Sequence, residues 1–293
     1  MNILNTLIRR KHSSLTLLTL RAMRKMSKPE LQDAVRLLCA TVLMTDDMAL
    51  CRILGRYKMF VDRADLGFSS HVMLDGYWQM WATRAILRTV REGMWVADVG
   101  ANVGYYTLLL ADLVGESGHT HAIEPNVRRM QLLQQSVATN DFAGRVSLHR
   151  KSPTAPARLP AVRQPTATGR RKVLFSRTPA EKAARVAGPD QRTICLDDII
   201  KDERLDFVKI DGKGVDRDFW YGMRGILARH QALTIMLDFT VDHYRDPDVF
   251  LADMVAARFS LARVDASGSI GAVSIEQVLA FSPGASQTLS LSR

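Results

Sequence analysis

Apolar positions first repeat at helical spacing. Leu31, Val35, Leu38 and Val42 fall on one face behind Pro29 and predict a helix over Leu31–Met44. Tyr57–Arg63 reads as a strand. The aromatic and aliphatic mix of His71–Leu87, with Met73, Leu74, Tyr77, Trp78 and Trp81, reads as a helical cover. From Met94 the period alternates. Met94–Val99 is a short apolar run, and Val103–Val114 has helical spacing closed by Gly115. Strand His119–Ile123, helix Asn126–Asn140 and strand Val146–His149 follow. After a gap come strand Leu205–Asp211, helix Asp216–Arg229 and strand Leu233–Phe239. Helix Pro247–Arg258, strand Ser260–Val264, a short helix near Ser274–Ala280 and a closing strand Thr288–Ser292 complete the chain. Strands alternating with helices of this length predict an α/β domain over 89–293, its sheet mostly parallel and covered on both faces. Residues 1–88 are expected to form a helical and strand extension.

The gap, 152–192, has no periodicity and holds six of the ten prolines, which marks an insertion or long loop. It also explains the net charge of +10. Residues 144–192 carry twelve Lys and Arg against Glu181 and Asp190, the whole excess. A second patch, residues 1–29, has seven basic residues and no acid. Charge so confined acts as a patch that steers a partner. The loop suits an anionic acceptor, or is simply solvated. It has Phe175 as its one aromatic side chain, too few for base stacking, so nucleic acid is not the expected partner. Segment 1–28 reads as a helix with a solvated basic face, as a peripheral membrane contact or as a transit peptide. The apolar stretch Ser13–Leu20 is too short to span a bilayer and lacks a cleavage site. Three cysteines at unrelated spacings indicate neither a disulfide framework nor a zinc site. A cytoplasmic location is the expectation.

The chemistry concentrates in Asp98-Val99-Gly100-Ala101-Asn102-Val103-Gly104, between a buried strand and a helix. Strand, glycine turn and helix bring backbone N–H groups against a ligand. Gly100 and Gly104 leave room for a ligand at the backbone, and either supplies a positive φ. The next strand ends in Glu124-Pro125, a carboxylate suited to both hydroxyls of a ribose at the carboxyl edge of the sheet. A dinucleotide site expects Gly-x-Gly-x-x-Gly, and here Asn102 stands at the second glycine's place. That favours a methionine-derived cofactor over NAD.

The chain resembles the FkbM family of S-adenosylmethionine-dependent methyltransferases from about Leu66 onward. The matching stretches are Asp75-Gly76-Tyr77-Trp78, Asp98 to Thr107, Glu124-Pro125-Asn126, Leu196-Asp197-Asp198 and Lys209-Ile210-Asp211. The resemblance implies a Rossmann-like class I methyltransferase fold of seven strands, the last antiparallel. It also implies S-adenosylmethionine as cofactor and methyl transfer to a hydroxyl of a saccharide, glycan or secondary metabolite. Asp98, Gly100, Asn102, Gly104, Tyr105, Glu124 and Pro125 are the expected cofactor set. Asp211, at the end of a strand facing the same crevice, is the first candidate for a general base, or else caps the following helix. His243 is a further catalytic candidate, with Asp238 behind it. Three departures stand out: Lys213 and Gln79 where the family carries glutamates, and His149-Arg150-Lys151 where an acidic or small polar residue approaches the adenine. They favour, as an alternative, a protein that binds the cofactor with little turnover.

Overall fold

The structure is a computed structural model that describes residues 17–153, 193–201, 204–211, 216–282 and 284–293. The first described elements are α1 (Leu20–Lys25) and α2 (Lys28–Leu38). Helix α2 begins in a capping box, in which the Ser27 side chain and Glu30 satisfy each other's backbone N–H groups. It ends at Leu38 rather than running on to Met44. Residues Ala40–Leu43 leave it as β1 and pair antiparallel with β2 (Met48–Ile53), which pairs in turn with β3 (Tyr57–Asp62). The helical period of Leu38 and Val42 is therefore broken by a change of element that spacing alone does not reveal.

The expected cover over His71–Leu87 is two helices, α3 (Phe68–Asp75) and α4 (Met80–Thr89). Gly76 at φ 74° ends the first, and Gln79, at φ 36°, starts the second from a left-handed conformation uncommon for a side-chain-bearing residue. A salt bridge ties the start of β3 to Asp112: Arg56 Nε lies 2.6 Å from Asp112 Oδ2, and the Tyr57 hydroxyl donates to the same oxygen at 2.7 Å.

The α/β region runs β4 (Trp95–Val99), α5 (Tyr105–Val114), β5 (His119–Ile123), α6 (Val127–Thr139) and β6 (Val146–His149). After β7 (Ser152–Pro153) and β8 (Thr193–Ile194), a two-residue parallel pair, come α7 (Leu196–Ile199) and β9 (Phe207–Ile210). The expected single helix Asp216–Arg229 is broken at Met223 into α8 (Asp216–Gly222) and α9 (Arg224–Arg229). Then follow β10 (Thr234–Phe239), a 3-10 turn (Val241–His243), α10 (Pro247–Ala256), β11 (Ser260–Val264), β12 (Ile270–Ala272), α11 (Ile275–Leu279) and β13 (Gln287–Ser292).

The large sheet has the order β12-β11-β13-β10-β9-β4-β5-β6. Among the described residues it holds eight strands where seven were expected. The eighth, β12, is a three-residue antiparallel hairpin partner of β11 at the edge. β13 is antiparallel to both β10 and β11, as expected for the last strand. The parallel strands run outward in both directions from the β4–β9 pair, which makes that pair the topological switch point where α/β sheets place ligands. One face of the sheet (Val96, Phe207, Met236) shares a continuous core with α5 and with N-terminal residues such as Met23, Leu31 and Ile86. The other face (Ala97, Val99, Ile210, Leu237) packs on Trp220 and Phe250. Among the described residues no helix is long and apolar enough to cross a membrane.

Candidate active site

The carboxyl edge of β5, β4, β9 and β10 gathers most of the residues singled out by sequence. Gly100 and Gly104 both have positive φ, 78° and 108°. Their missing side chains make room for the protein itself rather than for a ligand. A Cβ on Gly100 would sit 2.2 Å from the Asp211 carbonyl oxygen, and one on Gly104 would sit 2.7 Å from Leu133 Cδ1. Asp211 N–H donates to the Val99 carbonyl at 2.9 Å. The loop after β4 and the end of β9 are thus pressed together at the switch point.

Glu124 is 3% exposed and ties the loop to the end of β5. Asn102, itself at φ 51°, donates its N–H to Oε2 at 2.9 Å, and Asn126 N–H donates to Oε1 at 2.8 Å. Burial pushes the carboxyl upward, against the pull of the Asn126 N–H, the Arg129 charge and the Asn102 N–H. A carboxylate offers about four lone-pair sites, so two remain after these bonds. That capacity fits a ribose diol. Pro125, half-buried, sets the chain between Glu124 and Asn126, whose side chain caps α6.

Asp98, at 1% exposure, stands beside Lys209 in the β4–β9 register. The Thr107 hydroxyl donates to its Oδ2 at 2.6 Å. Burial pushes the Asp98 carboxyl up to about 6, with the Lys209 charge and the Thr107 bond pulling the other way. Lys209 is also 1% exposed. Its Nζ lies 3.5 Å from Asp211 Oδ2 and 4.4 Å from the centre of the Tyr106 ring. It has no aligned hydrogen-bond partner, so the Asp211 contact is ionic rather than a directed bond. Burial pulls the ammonium down, but Asp211, Asp238 and Asp98 together outweigh it and hold the group above its ordinary value.

Above Lys209 runs a chain of hydrogen bonds that sequence reasoning did not assemble. The Tyr106 hydroxyl donates to Gln79 Oε1 at 2.9 Å, and Gln79 Nε2 donates to Asp238 Oδ2 at 2.9 Å. Thr288 Oγ1 donates to Asp238 Oδ1 at 2.8 Å, and Trp81 Nε1 donates to Thr288 Oγ1 at 3.1 Å. Gln79 is therefore an integral part of the site: its amide donates to a carboxylate, which a glutamate there does only when protonated. The signals for Tyr106 and Thr288 were weak, a second tyrosine after the loop and one threonine in a closing strand.

Of the other residues named from the sequence, Asp211 joins this cluster through Lys209. Tyr105 is 2% exposed, its hydroxyl 3.0 Å from Thr83 Oγ1 and its ring edge-on to Phe68 and Tyr106. It packs the cover against α5, while Tyr106 joins the hydrogen-bonded cluster. His243 is exposed on the 3-10 turn, outside this network. Asp211 is 30% exposed and engaged by Lys209. His149 stacks on His121, with His121 Nδ1 3.2 Å from its Nε2; burial pushes His121 down to about 3 and lowers His149 as well, so both rings are neutral near pH 7. Lys213, most of the basic stretch and residues 1–16 lie outside the described residues.

An open, doubly wound sheet with an antiparallel last strand, a glycine loop at the switch point and an acidic residue closing the second strand is the class I methyltransferase arrangement. Residues 98–266 match the model of the methyltransferase FkbM domain. The chain belongs to this methyltransferase family, whose methyl donor is S-adenosylmethionine. A curated relative, the protein-L-isoaspartate O-methyltransferase of Methanothrix thermoacetophila, is 44% identical over 45 residues, 15% of this chain. The match spans about a fifth of that relative's length (21%). Among solved structures, a SAM-dependent methyltransferase from Aquifex aeolicus aligns with TM-score 0.44 and 12% identity, over 78% of this chain and 94% of that one. An O-methyltransferase from Bacillus cereus in complex with SAH aligns with TM-score 0.40 and 13% identity, over 79% and 84%.

Proposed function

We propose that the chain is an O-methyltransferase acting on a hydroxyl of a saccharide, glycan or secondary metabolite. The observation that carries this reading is Asp211. It is a partly exposed carboxylate at the carboxyl end of β9, with its backbone against Gly100 and its side chain beside the buried Lys209. S-adenosylmethionine, when bound, supplies an electrophilic methyl group on a sulfonium. Glu124 is suited to hold the ribose hydroxyls, and the loop from Asp98 to Gly104 to shape the adjoining wall. Asp211 then takes the proton from the acceptor hydroxyl as it becomes nucleophilic, a contribution of about 10²–10⁴-fold in general-base catalysis. Aligning acceptor and donor in a water-poor crevice supplies the remaining acceleration.

The test is transfer of a labelled methyl group to a panel of saccharides, glycolipids and polyketide alcohols, analysed for the position of the label. Label on a hydroxyl oxygen, lost in Asp211→Asn, supports the reading. Label on nitrogen or carbon, or full activity in Asp211→Asn, defeats it.

A further inference from the structure

We infer that two copies of this chain pair edge to edge through β1, joining their three-stranded sheets into one sheet of six strands. The surface lies outside the candidate active site, and the inference does not depend on the methyl acceptor.

β1 has β2 on one side and, among the described residues, no strand on the other. Edge strands of proteins that stay apart are commonly guarded by charge, proline or a bulge. Ala40-Thr41-Val42-Leu43 has no charge and no proline, and its two β-branched residues favour an extended chain. Eleven large apolar side chains are exposed among the described residues. Five of them border this edge: Val42, Leu43, Met44, Leu66 and Leu74, each 49–83% exposed.

Both faces of the edge are apolar. Val42 aligns with Leu50, and Leu50 with Phe60, so an apolar row crosses the face of the small sheet turned away from α3. On the other face Leu43 aligns with the buried Ala49, and the Thr41 hydroxyl donates to the Met73 carbonyl of α3 at 2.9 Å. Leu74 follows Met73, and Leu66 stands just before the other end of α3.

The backbone is self-complementary. Met44 N–H donates to the Met48 carbonyl at 3.0 Å, which makes Met44 and Met48 a hydrogen-bonded pair. Antiparallel ladders alternate, so Val42 and Ala40 also turn their backbone groups toward β2, and those of Thr41 and Leu43 point outward. A twofold axis through Val42 sets Thr41 of each copy against Leu43 of the other. The two outward N–H and two outward C=O groups of each copy then all find partners. Every side chain also faces one on its own side of the sheet, as an isologous contact requires. At about 100–150 Å² of exposed surface each, the five side chains bury about 1,000–1,500 Å² over two copies, enough for a specific interface.

Sedimentation equilibrium of the full chain across the micromolar range tests this. The unaltered chain is expected to reach the mass of two copies at the upper end. Val42→Lys sets two ammonium groups against each other at the axis and weakens association by about tenfold or more. Its melting curve in dilute solution matches that of the unaltered chain, because position 42 is exposed in a single copy. Val42→Cys reports the register. At the axis the two Cα atoms stand about 4.5 Å apart, within reach of a disulfide, whereas Leu43→Cys lies about 8 Å from its own copy and beyond reach. Under mild oxidation Val42→Cys runs as a covalent dimer on a non-reducing gel. Leu43→Cys runs like the unaltered chain, whose own free cysteines are Cys39, Cys51 and Cys195. A single-copy mass throughout the range, or a dimer that Val42→Lys leaves intact, overturns the inference. So does cross-linking of Leu43→Cys in preference to Val42→Cys. A single-copy mass with retention on phospholipid vesicles also overturns it, and gives the apolar edge to a membrane instead.

Discussion

Replacing Asp98 by asparagine removes a charge from the middle of the buried layer while leaving an oxygen to accept the Thr107 hydrogen bond. In the fold this carboxyl titrates at about 6, against 3.8 for the unperturbed group. At about 1.4 kcal/mol per pH unit, ionising Asp98 therefore costs the folded state on the order of 3 kcal/mol. Because the folded value lies above the unfolded one, the carboxyl's contribution to stability is complete below pH 3.8 and is lost as the pH rises through about 6. The asparagine side chain mimics the protonated form at every pH. The Asp98→Asn variant is thus expected to be more stable than the unaltered chain at pH 8, by up to about 3 kcal/mol, and nearly equal to it at pH 4. At about 2–4 °C per kcal/mol for chains of this order of size, the gain at pH 8 approaches 10 °C. Differential scanning calorimetry across that range measures it. A stability change of the same size at pH 4 and pH 8, or a loss that grows with pH, would refute the argument. Such a result would mean that Lys209 needs the Asp98 charge more than burial opposes it.

Glu124→Ala should abolish the rise in melting temperature produced by S-adenosylhomocysteine, and it should destabilise the apo protein by about 1–3 kcal/mol because two N–H groups lose their acceptor. An undiminished thermal shift would contradict the assigned role. Gly100→Ala should cost more than Gly104→Ala in urea denaturation. The first meets a backbone carbonyl that cannot turn aside, the second the end of a leucine side chain; the reverse order would count against the geometry of the switch point. Tyr105→Phe should cost about 1 kcal/mol for one lost hydrogen bond. It should leave S-adenosylhomocysteine affinity unchanged, and a large loss would show that Tyr105 serves the cofactor as well as the packing.

Much of the site is local, and local patterns carried it. Strand, loop and helix from Trp95 to Val114 follow from an apolar run, glycines able to take positive φ, and helical spacing. Glu124 is found by counting to the end of the next strand. His119–Ile123, Val146–His149 and Ser260–Val264 form the strands their alternation and flanks predict. The breaks were less visible. The turn at Gly76–Gln79, the end of α2 at Leu38 and the interruption at Met223 arise where tertiary packing overrides a periodicity that would otherwise continue.

The parallel α/β plan, the glycine loop, the acidic ends of β4 and β5 and the family are legible in the amino-acid order, because these depend on residues within one or two elements of each other. What Gly100 and Gly104 make room for, and the bond from Tyr106 to Gln79, came from the three-dimensional packing. It alone joined Gln79 to Asp238, 159 positions apart, and Trp81 to Thr288, 207 apart. Such pairs carry no spacing signal: they meet because the N-terminal cover and the sheet bury a common apolar face, and the polar groups caught at its rim must find one another or go unsatisfied.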